Sequence, residues 1–189
     1  MTADGKLEVS ITYLEMRTRP RRHAHELQRT VALLRAIQPP LHFYRYLYET
    51  VGAPWLWYER RVMDDDELAS IVHDDAVEVY VLYADGCPAG FVELDCRKLP
   101  EVELAYCGLV PDFIGEGLGV YLIDHAVELA WQHEPERVWV HTCSLDHPRA
   151  LLVYQRAGFV PYKDETKLID DPRLSGAMRS RLADPPPPT

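Results

Sequence analysis

Alternating apolar and polar residues predict a β-strand close to the N-terminus. The apolar members of this alternation are Leu7, Val9, Ile11 and Tyr13. Runs rich in β-branched and aromatic residues predict further strands over residues 30–37, 77–83, 89–95, 101–110 and 137–143, with a last strand starting at 159. The dipeptide Asp85-Gly86 favours a hairpin between two of these strands.

Four other segments have the apolar spacing of amphipathic helices. They cover residues 41–51, 67–73, 118–133 and 146–157. Gly52 and Gly158 end two of them, and Asp64 with Glu67 has the spacing of a capping box. The predicted order is β-β-α-α-β-β-β-α-β-α-β, which indicates a mixed α/β (α+β) fold with helices on both faces of the sheet.

The length of 189 residues suits one domain with a substantial core. We divide the chain into an N-terminal strand with a basic linker (1–29), a central domain (30–166) and a polar tail (167–189). The tail ends in four prolines at 185–188 and is predicted to be mobile.

Acidic side chains outnumber basic ones by thirty to twenty, which gives a net charge of −10. This excess argues against nucleic acid as the main partner. It is compatible with a cationic or amine substrate, but an acidic surface more often only keeps a protein in solution. The start of the chain has no apolar secretory segment, and no stretch approaches the ~18 apolar residues of a membrane span, so a cytoplasmic protein without membrane association is expected. The four scattered cysteines are expected to be reduced thiols.

Three glycines at alternate positions lie between a predicted strand and a predicted helix, in the stretch 115–119. The first turn of a helix has unpaired N–H groups and partial positive charge, and glycine lacks the Cβ that would keep a phosphate away. The pattern predicts a pyrophosphate site made of backbone, with a simple tight connection as the alternative. It is neither a Walker loop, since no Lys-Ser or Lys-Thr follows, nor the dinucleotide motif Gly-x-Gly-x-x-Gly.

Three segments, in this order and spacing, resemble the GNAT-type N-acetyltransferase superfamily. Residues 103–110 look like the family's central fourth strand, residues 115–119 are similar to its acetyl-CoA pyrophosphate loop, and the pattern A-x-x-x-Y-x-x-x-G-F at 150–159 looks like its C-terminal helix signature. The resemblance extends over residues 30–162. It implies a mostly antiparallel sheet of six to seven strands in a GNAT-like domain at 30–166.

The resemblance implies acetyl-CoA as the acetyl donor and a primary amine as the acceptor. The positions that it implies for binding the donor are Cys107, Leu109, Gly115, Glu116, Gly117, Leu118, Gly119 and His147. Backbone N–H groups at 107–109, where the family's fourth strand bulges, would stabilise an oxyanion. Ile114 and His147 depart from the family, which usually has Gln or Arg and Asn at these positions.

Direct acetyl transfer requires a neutral amine, a hydrogen bond to the thioester carbonyl and a proton for the departing thiolate. Glu103, four residues before Cys107, matches the position of the general base in part of the family. The alternatives are a solvated acidic strand face shared with Glu101, Glu93 on the neighbouring strand as the base, or a chain of waters.

Tyr154 is the predicted acid, on the helix face that the family turns towards the CoA sulfur; a packed core aromatic is the alternative. A phenol with a pKa of about 10 can donate to a thiolate with a pKa of about 8.5. Trp57, Tyr58 and Glu93 are predicted to contact the acceptor in an aromatic pocket; the alternative is that the aromatic residues belong to the core and the nearby acids cap a helix. The histidines do not show the convergent spacing of metal ligands, so no metal is expected.

The leading hypothesis is therefore an acetyl-CoA-dependent N-acetyltransferase that transfers the acetyl group directly. A non-catalytic acyl-CoA-binding or regulatory module on the same fold is the alternative, because a fold does not determine a function. A nucleotide-binding protein that uses the glycine loop for ATP is a third possibility. The N-terminal strand and the aromatic stretch would also suit a homodimer.

Overall fold

Seven strands form one sheet in the computed structural model, which describes residues 5–21, 27 and 29–179. The strands are β1 Lys6–Met16, β2 Val31–Ala36, β3 Val77–Ala84, β4 Cys87–Lys98, β5 Glu101–Leu109, β6 Arg137–Cys143 and β7 Val160–Asp170. The helices are α1 Leu41–Gly52, α2 Glu59–Val62, α3 Asp65–Val72, α4 Leu118–Trp131 and α5 Ala150–Ala157. This architecture confirms the predicted mixed α/β fold.

A split between two strands opens the middle of the sheet, whose order is β2-β3-β4-β5-β6-β1-β7. β5 and β6 run parallel and are connected by the crossover that contains α4, whereas the other described neighbours pair antiparallel. The parallel pairing starts at Glu101 with Arg137 and ends at Glu103 with Trp139. Both strands continue beyond this point without pairing to each other, which leaves a gap between them.

β1 lies between β6 and β7, although it comes first in the sequence. Tyr13 of β1 pairs with His141 of β6 on one side and with Lys163 of β7 on the other. The predicted boundary at residue 29 therefore does not separate this strand from the central sheet. The predicted boundary at residue 166 also falls inside an element, because β7 pairs with β1 as far as Asp170.

The start of α3 confirms the predicted capping box. The Asp64 carboxylate accepts a hydrogen bond from the Glu67 backbone N–H, and the Glu67 carboxylate accepts one from the Asp64 N–H. Both bonds satisfy N–H groups that a helix start leaves unpaired. α2 was not predicted, because a helix of four residues is too short to show a helical period.

Two apolar layers hold the helices on opposite faces of the sheet. α4 and α5 pack on one face, against residues such as Leu104 and Val138. α1 and α3 pack on the other face, against residues of β3 and β4 such as Val81 and Phe91. Burial of each such side chain stabilises the fold by about 1.5–3 kcal/mol, and the two layers fix the strands on either side of the split.

No helix within residues 5–21, 27 and 29–179 is long and apolar enough to cross a membrane. The prolines at 185–188 lie outside the described residues, so the mobility of the tail stays a prediction.

Candidate active site

A cavity of about 1030 Å³ opens where β5 and β6 separate. Its walls come from β1, β5, β6, β7, α4, α5 and the loop after α1. The predicted site residues that line it are Trp57, Tyr58, Cys107, Leu109, Gly115, Gly117, Gly119, His147 and Tyr154. The predicted site residues that do not line it are Glu93, Glu103, Glu116 and Leu118.

The glycine loop leaves room for an anion at the start of α4. Gly115 and Gly117 have φ angles of +98° and +82°, which favour glycine. Gly117 is the N-cap of α4, no described side chain caps this helix, and a Cβ placed on Gly115 would meet no heavy atom within 4 Å. The free N–H groups and the helix dipole therefore make a site that fits a pyrophosphate.

Glu116 and Leu118 of the same loop turn away from the cavity. The Leu118 side chain is fully buried in the core, so its possible contribution is limited to its backbone. The Glu116 carboxylate pairs with Arg29, whose guanidinium also pairs with Asp85 and lies 5.6 Å from the centre of the Phe113 ring. Arg29 offsets a negative charge that would otherwise repel a bound phosphate. No local pattern in the sequence connects Arg29 with this loop.

Backbone N–H groups of β5 face the split. The Val110 N–H donates to the Ala89 carbonyl oxygen of β4 at 2.9 Å. Because backbone groups alternate in direction along a strand, the N–H groups of Leu109 and Cys107 point away from β4, towards the gap. The bulge in β5 lies at Ala105 and not at the positions that the family resemblance implied, since the register with β4 shifts there.

Tyr154 of α5 places a protonated hydroxyl at the cavity. It is 7% exposed and lines the cavity wall. Burial, with a smaller effect of the nearby Cys107, raises the pKa of its phenol well above the ordinary value. Among the described residues, no hydrogen bond engages this hydroxyl, so it is available to donate one to a ligand.

Cys107 is a poor candidate for a covalent nucleophile. Burial raises the pKa of its thiol to about 12. The thiolate is the reactive form, and it is scarce near neutral pH at such a pKa.

Glu103 reaches the cavity through a histidine. Its Oε1 lies 3.7 Å from Nδ1 of His141, and His141 lines the cavity. The Glu103 side chain is 24% exposed and that of His141 44% exposed. The two meet because Glu103 pairs with Trp139 at the last parallel position before the split, two residues from His141 on β6. The sequence indicated Glu103, but its contact with His141 depends on this register.

The loop after α1 forms an aromatic wall that is tied to the end of β6. Trp57 Nε1 donates to Asp146 Oδ1 at 3.2 Å, and its ring lies 5.1 Å from that of Tyr106. The other Asp146 oxygen accepts hydrogen bonds from Thr142 and Cys143. α5 was predicted to begin at Asp146; it begins at Ala150 because Asp146 is held by these contacts instead.

His147 packs edge-on against Trp55 at 5.2 Å between ring centres, and its Nδ1 accepts a hydrogen bond from the Arg149 N–H. It lines the cavity between the glycine loop and the aromatic wall. This position is compatible with the predicted contact to the donor.

Glu93 is a buried structural residue and does not contact the cavity, in contrast to the prediction. Its side chain is fully buried. The Tyr44 hydroxyl donates to Oε2, and Arg60 donates to Oε1 at 2.7 Å. Arg60 also stacks on the Tyr106 ring at 5.3 Å. Glu93 thus fixes α2 and the loop after α1 through Arg60, and both of its oxygens are already engaged.

Glu93→Gln is expected to lower the free energy of unfolding by about 3 kcal/mol, because removing one partner of a buried ion pair leaves the other charge uncompensated. Thermal unfolding measures this loss. Asp170→Asn is the matched control, since the exposed Asp170 pairs with Lys6 at the surface and this pair is expected to contribute less than about 1 kcal/mol. A loss of activity at unchanged stability would instead place Glu93 in the chemistry.

Within residues 5–21, 27 and 29–179, no group of three or more His, Cys, Asp or Glu side chains is arranged to hold a metal ion.

The Acetyltransferase (GNAT) family matches residues 41–159 of this sequence. This match covers more than half of the chain, and the chain belongs to this family. It includes the glycine loop, both strands that border the split, and Tyr154. β1, β2 and β7 lie outside it.

Individual relatives agree with this assignment. An uncharacterized N-acetyltransferase from Methanocaldococcus jannaschii is 30% identical over 111 residues, which cover 54% of this chain and 44% of that protein. A GCN5-related N-acetyltransferase from Kribbella flavida has a similar structure, with a TM-score of 0.60, 16% identity, and coverage of 88% of this chain and 60% of its own. A GCN5-related N-acetyltransferase from Sphaerobacter thermophilus is also similar, with a TM-score of 0.64, 14% identity, and coverage of 85% of this chain and 50% of its own. The chain thus spans only about half of these relatives, and the two structures show the shared fold alone.

Proposed function

We propose that this chain transfers an acetyl group from acetyl-CoA to a primary amine by direct attack of the amine on the thioester. One observation carries the proposal: a single cavity joins the glycine loop, the split between β5 and β6, and the aromatic wall. A long donor could lie with its phosphates at one end and its thioester in the split, where the acceptor would meet it.

At the donor end of the cavity, backbone N–H groups and the dipole of α4 would bind the donor. The uncapped start of α4 and the open space at Gly115 support a pyrophosphate there. The N–H groups of Cys107 and Leu109 point into the split, where they would stabilise the oxyanion that forms on the thioester carbonyl.

The proton steps use three side chains. With Nδ1 of His141 towards Glu103, Nε2 is free to take the proton that the amine loses as its nitrogen bonds to the carbonyl carbon. Glu103 orients the ring and stabilises its protonated form. When the carbon–sulfur bond breaks, Tyr154 donates its proton or a hydrogen bond to the CoA thiolate, and solvent restores its proton.

Glu103→Gln is expected to lower kcat at least about 10-fold, because the neutral amide cannot stabilise a protonated His141. The release of CoA thiol from acetyl-CoA, followed with a panel of primary amines, measures this effect. Glu101→Gln is the matched control. Glu101 lies on the same strand but does not line the cavity, and its carboxylate pairs with Arg137 at a distance of 3.5 Å.

An equal loss in both variants would remove Glu103 from the mechanism. If acetyl-CoA binds but no amine in the panel releases CoA, the proposed transfer is wrong and a non-catalytic acyl-CoA-binding module is favoured. Stabilisation by ATP in place of acetyl-CoA would favour a nucleotide-binding protein instead.

A further inference from the structure

The far end of the cavity lies on a face of the sheet formed by β6, β1 and β7. Tyr13 pairs directly with His141, and Ile11 with Cys143, so these side chains share that face. α4 and α5 cover the opposite face, through residues such as Val138 and Leu14. The apolar cluster beneath α1 and α3 takes its buried strand residues from β3 and β4. The cavity continues across the face beside that cluster. We call this part the acceptor arm; it is lined by Val9, Ile11, Tyr13, Trp139, His141 and Ile169.

Three aromatic rings form the entrance to the acceptor arm. The ring centres of Tyr13 and Trp139 are 6.4 Å apart, those of Tyr13 and His141 5.8 Å, and those of Trp139 and His141 6.3 Å. All three rings line the cavity, and His141 carries the nitrogen that we assign to the amine proton. An amine at His141 would therefore have its attached group among these rings.

The wall across from these rings is also flat and aromatic. Trp57, Tyr58 and Tyr106 line the same cavity. Trp57 is held by its hydrogen bond to Asp146, and Tyr106 lies under Arg60. A planar group that enters the arm thus meets rings whose positions are fixed by contacts outside the cavity, and offset or edge-on ring contacts stabilise such a group beyond its buried area.

Basic side chains lie over two of the three rings. Lys163 lies over the Tyr13 ring at 4.6 Å, and Arg137 over the Trp139 ring at 5.9 Å. Lys167 lines the arm itself. These positive charges disfavour a second cation on the acceptor, because like charges repel.

Carboxylates for a polycationic acceptor are few. Among the described lining residues, Glu59 and Asp146 are the acidic ones. Asp146 is engaged by Trp57 and by the end of β6, and Glu59 accepts a hydrogen bond from Tyr48 at 3.1 Å. A polyamine or an amino sugar would leave most of its ammonium groups without a partner.

We propose, on the basis of the function proposed above, that the acceptor is a primary amine carried on a neutral aromatic ring, which stacks in the acceptor arm against Trp139 and Tyr13. The amine lies at His141, and the ring lies on the side of Trp139, away from Val9 and Ile169.

The test compares four amines as acceptors for acetyl-CoA with the full chain: 2-phenylethylamine, 2-cyclohexylethylamine, n-hexylamine and spermidine. The first two amines have similar size and apolarity, so the ratio of their kcat/KM values reports the effect of the aromatic ring alone. We expect kcat/KM for 2-phenylethylamine to exceed that for 2-cyclohexylethylamine about 3- to 10-fold and to exceed that for spermidine by a larger factor.

Variants of Trp139 locate the preference. Trp139→Leu is expected to reduce the ratio of kcat/KM for the phenyl substrate to kcat/KM for the cyclohexyl substrate to about one, mainly by changing KM. Trp139→Phe is expected to restore most of this preference. Tyr13→Leu repeats the test at a second ring. Tyr46→Leu is the control, because Tyr46 is exposed on α1 and outside the cavity, and it should leave the ratio unchanged.

Equal use of the phenyl and cyclohexyl substrates, or a preference for spermidine, overturns this inference while leaving acetyl transfer to amines intact. An equal loss for every amine in Trp139→Leu, with normal thermal unfolding, also overturns it, because Trp139 would then act on the chemistry and not on the ring. If none of the four amines releases CoA, the proposed function fails together with it.

Discussion

Gly115→Asp is expected to weaken acetyl-CoA binding by about 1,000-fold, since a carboxylate beside a bound pyrophosphate adds a like-charge contact that costs several kcal/mol. The open space at this Cβ position and the uncapped start of α4 are the physical reasons. Arg29 is already paired with Glu116 and Asp85, and cannot offset a further negative charge.

Thermal unfolding with acetyl-CoA, CoA and ATP in parallel measures the effect. At a concentration of 1,000 times the wild-type dissociation constant, acetyl-CoA should stabilise the wild type by about 4.1 kcal/mol and Gly115→Asp by about 0.4 kcal/mol. CoA should behave in the same way because it carries the same pyrophosphate, and ATP should have a smaller effect.

Gly86→Asp is the matched control for this prediction. Gly86 has a φ of +85°, close to that of Gly115, and its Cβ position is also open. The backbone cost of the substitution is therefore similar, but Gly86 lies in the hairpin between β3 and β4, away from the cavity. A similar loss of acetyl-CoA binding in both variants would show that the glycine loop is not the pyrophosphate site.

Tyr154→Phe is expected to lower kcat by about 100- to 1,000-fold with little change in the affinity for acetyl-CoA, because it removes the donor to the departing thiolate. The substitution keeps the ring that packs edge-on against Phe159 at 5.9 Å, so the loss of stability should be small. The rate of CoA release at saturating acetyl-CoA and amine measures kcat, and thermal unfolding checks the fold.

The pH dependence gives a second readout for Tyr154. The reaction needs the protonated phenol, and burial raises the pKa of this group well above its ordinary value of 10.0. Deprotonation of Tyr154 should therefore not reduce the wild-type kcat until the pH is well above 10.

Tyr80→Phe is the control, because Tyr80 also has a raised pKa but does not line the cavity. Burial and a hydrogen bond to Glu78 raise the pKa of Tyr80 to about 12. If Tyr154→Phe retained more than half of the wild-type kcat, Tyr154 would be a packing residue and the thiolate would take its proton from water.

Features made by neighbouring residues could be predicted from the sequence. Asp85-Gly86 forms the predicted two-residue turn, with φ angles of +50° and +85°. The capping box of Asp64 and Glu67 and the glycine loop before α4 are equally local. The family signature around Tyr154 depends on residues within one helix, which is why its position on the cavity could be expected.

The roles of the acidic residues could not be predicted from neighbouring residues in the sequence. Glu93 and Glu103 lie on adjacent strands, and the sequence predicted Glu103 as the base with Glu93 as the alternative. The register of β4 and the packing of α2 bury Glu93 against Arg60, whereas the parallel register of β5 and β6 places Glu103 beside His141. Burial and ion pairing depend on residues far apart in the chain, and no local pattern encodes them.

The sequence by itself determined the seven strands, the four longer helices, the glycine turn into α4 and the three segments that carry the family resemblance, because each of these follows from residues within a few positions of one another. Only the tertiary structure decided that β1 lies between β6 and β7, that Arg29 supports the glycine loop, and that Tyr13 and Trp139 line an aromatic arm beside His141. These features form when distant segments pair and pack, and the stability of that packing is a property of the whole sheet.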